Sequence, residues 1–127
     1  MRGFTERPSK RVTFKRGPET ITYTVHALPA LFMGLVRLKI PYTGDESEGA
    51  LEMQALILTA EGLRTTEEIP PHPEPAASSE EWRSYARTLS EMFSAAGLSS
   101  GQITRLGRAV TELDTFVTEA LEETGND

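Results

Sequence analysis

The residues that could do chemistry in this chain are few and scattered. His26 and His72 are its two histidines, and neither has a second histidine, a cysteine or a tight carboxylate pair beside it to complete a zinc-ligand spacing. Asp45-Glu46-Ser47-Glu48-Gly49 clusters oxygen ligands as a calcium loop does. A loop opening at Asp45, however, needs a bidentate Glu where the chain has Leu56, and Gly49 is displaced by one from the required sharp turn. No G-x-S-x-G elbow marks a nucleophile, and Ser99-Ser100-Gly101 reads as a helix cap. Gly97 and Gly101 flank a helix turn without the Lys-Ser/Thr of a phosphate loop. No catalytic, cofactor-binding or metal-ligating residue is therefore expected, and no enzyme activity.

Charge gives a second kind of chemistry. Residues 1–39 hold eight Lys/Arg against two Asp/Glu, whereas the remainder holds five against seventeen. A chain so polarised can pair head to tail with its own copies or steer partners of either sign towards it. Lys10, Arg11, Lys15 and Arg16, with Phe14 and Tyr23 nearby, could face a nucleic acid. The pI near 5.0 and the apolar spacing of those aromatics argue against it, so no nucleic-acid partner is expected.

The elements that would position these groups follow from periodicity. Residues 1–10 are polar and aperiodic and read as a flexible arm. Arg11–Arg16 alternates, Gly17-Pro18 supplies a turn, and Glu19–Leu28 alternates again, which predicts a β-hairpin with Ile21, Tyr23, Val25 and Ala27 on its apolar face. A lone hairpin is marginal in water, so that face must cover helices or meet another chain. Leu31, Phe32, Leu35, Val36 and Leu38 mark a short apolar helix after Pro29 and before Pro41. An acidic loop over Tyr42–Gly49 leads to a second helix carrying Leu51, Met53, Leu56, Ile57, Ala60 and Leu63, with Glu52 and Glu61 outside and Gly62 at a frayed end.

Residues 65–77 contain Pro70, Pro71, Pro73 and Pro75 and read as a semi-rigid connector. Ser78 with Glu81, and Ser99 with Gln102, have the form of capping boxes, and Gly97-Leu98 that of a Schellman stop. They bracket two helices, one with Trp82, Tyr85, Leu89, Met92 and Phe93 and one with Ile103, Leu106, Val110, Leu113, Val117, Ala120 and Leu121. The expectation is an α+β fold: an N-terminal β-hairpin followed by about four helices, ending in an antiparallel helical hairpin. The single domain would span 11–123 and the tail at 124–127 would fray. Tyr23, Phe32, Leu35, Trp82 and Phe93 are core residues by spacing and the best candidates for protein-binding anchors if part of the apolar surface stays open.

The absence of cysteine fits a reducing compartment. Met1–Pro8 lacks the apolar run of a signal peptide, and Leu28–Ile40 is interrupted by Pro29, Gly34, Arg37 and Lys39 and too short to span a bilayer. A cytoplasmic protein with no membrane span is expected.

The segments Thr20-Ile-Thr-Tyr-Thr-Val-His-Ala-Leu28, leading directly into a helix, and Ala96-Gly-Leu-Ser-Ser-Gly-Gln-Ile103, leading into Leu106-Gly-Arg-Ala-Val-Thr-Glu-Leu113, resemble the tail assembly chaperones of long-tailed bacteriophages. The resemblance covers residues 11–123 loosely. It implies a non-enzymatic, self-associating protein that coats the tape-measure protein before the tail tube forms, in the host cytoplasm if the chain is viral. It also implies a programmed frameshift near the end of the gene, which Thr124-Gly125-Asn126 would permit if encoded as ACG-GGA-AAC. Two other classes fit the same residues: a head-to-tail connector that stays in the virion, and a host-directed regulator that binds one cellular protein.

Overall fold

The computed structural model describes residues 8–42 and 47–125, with side chains for 8–42 and 49–113. Residues 1–7 of the expected arm, 43–46 of the expected acidic loop and 126–127 of the expected tail lie outside the described part, as do the side chains of Val117, Ala120 and Leu121. The order is β1 (Ser9–Arg16), β2 (Glu19–His26), α1 (Phe32–Lys39), α2 (Ser47–Leu63), α3 (Ser79–Ala95) and α4 (Ser100–Gly125). This is the expected α+β arrangement of an antiparallel hairpin followed by four helices.

The hairpin turns on Gly17, whose φ of 60° suits the first position of a two-residue turn between right-twisted strands. Register then follows from Arg16 opposite Glu19, which sets Phe14 opposite Ile21 and Val12 opposite Tyr23. Val12, Phe14 and Val25 are buried beneath the sheet, while Thr13 and Thr22 share a hydroxyl hydrogen bond of 3.0 Å on the exposed side. Pairing begins earlier than the alternation suggests: β1 starts at Ser9, and the Ala27 amide donates to the Pro8 carbonyl. The hairpin lies on α2 and α4, so helices of its own chain cover its apolar face.

α2 is the central helix, packed against α1, α3, α4 and β2. It begins at Ser47, inside the stretch expected as loop. Gly62 is not at a frayed end. It is buried, and a Cβ there would run into the Val110 side chain and come within 3.3 Å of the His26 carbonyl oxygen. Gly107 does the same from α4, where a Cβ would stand 3.1 Å from Thr59 Oγ1. Two glycines thus let α2 and α4 approach closely, an arrangement that hydrophobic period does not encode.

The helix ends form as their sequences dictate. The Glu81 amide donates to Ser78 Oγ at 3.2 Å, and the Ser99 box closes both ways, Gln102 N–H to Ser99 Oγ and Ser99 N–H to Gln102 Oε1. Gly97 (φ 85°) ends α3 with the Leu98 amide donating to Phe93 and its own to Ser94, and Leu98 is buried, which is the full Schellman pattern. α4 continues to Gly125, two residues past the expected end of the domain at 123.

Candidate protein-binding surfaces

The five residues singled out from sequence are distributed over three places. Phe32 and Trp82 come together in the core, 6.4 Å between ring centroids, 6% and 0% exposed. Tyr23 and Phe93 come together along a groove. Leu35 lies half-buried on α1.

The core pair is held beneath the proline-rich connector by a polar strap. His72 stacks on Trp82 at 5.5 Å and 22° and lies 5.3 Å from Phe32, and the Trp82 indole N–H donates to the Glu74 carbonyl. Its hub is Arg64. Arg64 Nε donates to Glu61 Oε1 at 2.6 Å, Nη1 donates to the carbonyls of Ile69 and Pro70, and Nη2 donates to the Tyr85 hydroxyl at 3.0 Å. The hydroxyl in turn donates to Pro70 O at 2.8 Å. Burial raises the Tyr85 pKa above the usual tyrosine value, and the Arg64 hydrogen bond opposes that rise. For Arg64, burial pulls downward, but hydrogen bonds to Glu61 and Tyr85 outweigh it and hold the guanidinium pKa above its ordinary value.

Glu61 is therefore not on the outside of α2, as spacing suggested. It is 5% exposed, and its burial is tolerable because Arg64, one turn later, pairs with it and His72 Nε2 stands 4.0 Å from its second oxygen. His72 itself is fixed in the strap by its stacking on Trp82. The Glu-x-x-Arg spacing of 61 and 64 was the available signal. Proline cannot donate a backbone hydrogen bond, so a connector this rich in proline offers mainly carbonyls, and Arg64, Tyr85 and Trp82 are the donors that meet them. The strap is a fastening: its polar groups are engaged with one another and with backbone.

The groove is different. Tyr23, Leu63, Ile69, Met92, Phe93 and Leu98 line a concavity of about 350 Å³, with Glu67 and Glu68 at its edge. Its floor is apolar because β2 leaves Tyr23 there, the end of α2 leaves Leu63, and the end of α3 leaves Met92 and Phe93. The acidic rim comes from the connector, which reads as spacer in the sequence and gives no hint of lining a site.

The third place is the outer side of α1. Phe32, Val36 and Ile40 face inward and are buried, whereas Leu31 is 89% and Leu38 72% exposed. Leu35 and Leu38 lie three apart on α1, Leu35 half-buried and Leu38 exposed, and Leu31 stands just before the helix as its N-cap residue. Leu31 also holds φ 68° with no side-chain cap on the helix it precedes, a conformation that costs a leucine about 1–2 kcal/mol. Tyr42 and Leu51 extend the exposed apolar set. The sequence signal for this face was present: apolar residues on both sides of so short a helix exceed what one core can cover.

Among the described residues no three His, Asp or Glu come together as metal ligands, and no helix is long and apolar enough to cross a membrane. Compared with known proteins, the chain matches no family model, no curated protein and no solved structure.

Proposed function

We propose that this protein is a non-enzymatic assembly chaperone that covers the apolar stripes of a long helical partner, and that the partner is a phage tape-measure protein. One observation carries the protein-binding part: Leu31 at the N-cap of α1 and Leu38 on its outer face stand in water, whereas Phe32, Val36 and Ile40 are core. Large apolar side chains grouped on one helical face are the usual mark of a helix-to-helix contact. The groove between Tyr23 and Phe93 supports the same reading with a second apolar seat, and its Glu67 and Glu68 rim suits a stripe flanked by Lys or Arg. The tape-measure identity rests on the resemblance of 20–28 and 96–113 to tail assembly chaperones. Net charge of −6 would keep such a coated complex in solution.

Co-expression with the tape-measure protein of the same genome tests the proposal. The expected outcome is a soluble complex with several copies of this chain per partner, and a mature particle from which the chain is absent. Retention in purified particles would favour the connector reading instead. A stable one-to-one complex with an unrelated cellular protein would favour the regulator reading.

A further inference from the structure

The hairpin has two edges, and the fold treats them differently. The Ala27 amide donates to the Pro8 carbonyl and Ser9 stands opposite His26, so positions 8 and 27 form a hydrogen-bonded pair. Such pairs alternate along an antiparallel ladder. Lys10, Val12, Phe14 and Arg16 therefore bond to β2, whereas Arg11, Thr13 and Lys15 turn their amides and carbonyls outward. On β2 the outward carbonyl of Thr24 accepts from Thr66 Oγ1 at 3.0 Å. On β1 the outward groups of Arg11, Thr13 and Lys15 have no partner among the described residues, and all three residues are exposed.

A concavity of about 410 Å³ opens beside that free edge. One wall is β1 from Lys10 to Thr13, and the other is α4 through Arg105, Arg108 and Glu112, which share one helical face. The groove is cationic in a protein whose net charge is −6. Arg105 stands 4.9 Å over the Phe14 ring, and Arg11, Arg105 and Arg108 have no acidic partner among the described residues. Lys10 takes Glu112 at 3.1 Å, but both side chains are half open to water, so the pair is weak and exchanges readily. Four residues of strand give about 13 Å of edge, enough to seat a short extended segment.

We propose that β1 is a strand-addition edge, and that its occupant is an extended acidic segment of another protein lying between β1 and α4. The backbone of an added strand brings donors and acceptors at the spacing of Arg11, Thr13 and Lys15. Its Asp or Glu side chains would meet Arg108 on the helix side, or Arg11 and Lys15 across the new strand pair. A second copy of this hairpin is the wrong occupant: β1 reads Ser-Lys-Arg-Val-Thr-Phe-Lys-Arg with no acidic residue, so two such edges would oppose like charges. A nucleic acid fits less well, because phosphate oxygens only accept and would face the outward carbonyls and Glu112. The inference goes beyond the chaperone reading and can fail separately, since helix capture reports on α1 and strand addition on β1.

Fluorescence anisotropy of the full chain with a labelled octapeptide alternating Glu and Thr tests it. The peptide should bind, more weakly as salt is added, and hydrogen exchange at the Arg11 and Thr13 amides should slow in the complex. The same peptide N-methylated at its interior amides keeps its charges and loses its backbone donors, and it should bind about ten-fold more weakly or worse. Arg108→Glu, a change at an exposed position, should weaken the parent peptide by about ten-fold. Thr13→Pro removes an outward amide and no ladder bond to β2, a place where an edge strand accepts proline, so it should abolish binding with circular dichroism unchanged. The N-methylated peptide reads the same point on the wild-type chain, independently of how that variant folds. A parent peptide that does not bind, an N-methylated peptide that binds equally, or unchanged exchange at Arg11 and Thr13 would each overturn the proposal. So would an Arg108→Glu chain that binds normally, or a single-stranded DNA octamer that binds more tightly than the peptide and displaces it.

Discussion

The two ends of the chain's aromatic and apolar inventory are treated in opposite ways. At the start of α3, Trp82 is fully buried under a connector whose carbonyls meet Arg64, Tyr85 and the indole itself. At α1, within reach of the same core through Phe32, Leu31 and Leu38 are left largely exposed among the described residues. Both regions are apolar helix faces adjacent to Phe32, so hydrophobicity does not separate them. What separates them is whether the chain has donors and a connector to lay over the face. The covered region serves stability, and the uncovered one is where a partner can gain from burial.

Substitutions should divide along that line. Trp82→Ala empties the covered region and should cost about 3–5 kcal/mol, read as a large fall in the denaturation midpoint. If Trp82→Ala instead left stability unchanged and lost the partner, the indole would be a binding anchor and the comparison would collapse. Arg64→Met removes the hub and leaves Glu61 buried without its cation, which should cost about 3 kcal/mol and free the connector to proteolysis near Ile69 and Pro70.

Tyr85→Phe is milder, about 1 kcal/mol, since it deletes one hydroxyl that donates to Pro70 and accepts from Arg64. It sharpens the comparison through pH. The Tyr85 pKa is raised in the folded protein, so an unfolded chain loses this proton first as pH rises past about 10. The folded state then binds more protons than the unfolded one, and stability is lost as pH climbs towards the folded value. Tyr85→Phe should flatten that part of the alkaline limb, whereas substitutions on the outer face of α1 should leave it unchanged.

Much of the fold was legible because local chemistry and tertiary structure agree. Gly17 marked the hairpin turn and Gly97 the stop after α3 through a positive φ, and Ser78 and Ser99 marked the starts of α3 and α4 through side-chain caps. Glu61 and Gly62 were misplaced for one shared reason. Their environment is made by tertiary packing: Val110 against Gly62, and the folded connector that brings His72 beside Arg64 over Glu61. The hydrophobic period of α2 records none of these. Of the candidate surfaces, Tyr23 and Phe93 were legible as large apolar residues but not as neighbours, since only the folded hairpin and the end of α3 bring them to one groove. The exposure of Leu31 and Leu38 was legible only in part: a helix apolar on both sides announces that one side stays open, and which side that is depends on how α1 docks on the core.

The account depends most on the claim that the outer face of α1 binds a partner without supporting the fold. Leu31→Asp/Leu38→Asp tests it with two readings from one preparation, thermal stability and co-purification with the tape-measure protein. Stability is expected to stay within about 0.5 kcal/mol of wild type, as for exposed positions, while the complex is lost. A variant that keeps the complex, or one that unfolds, would contradict the account.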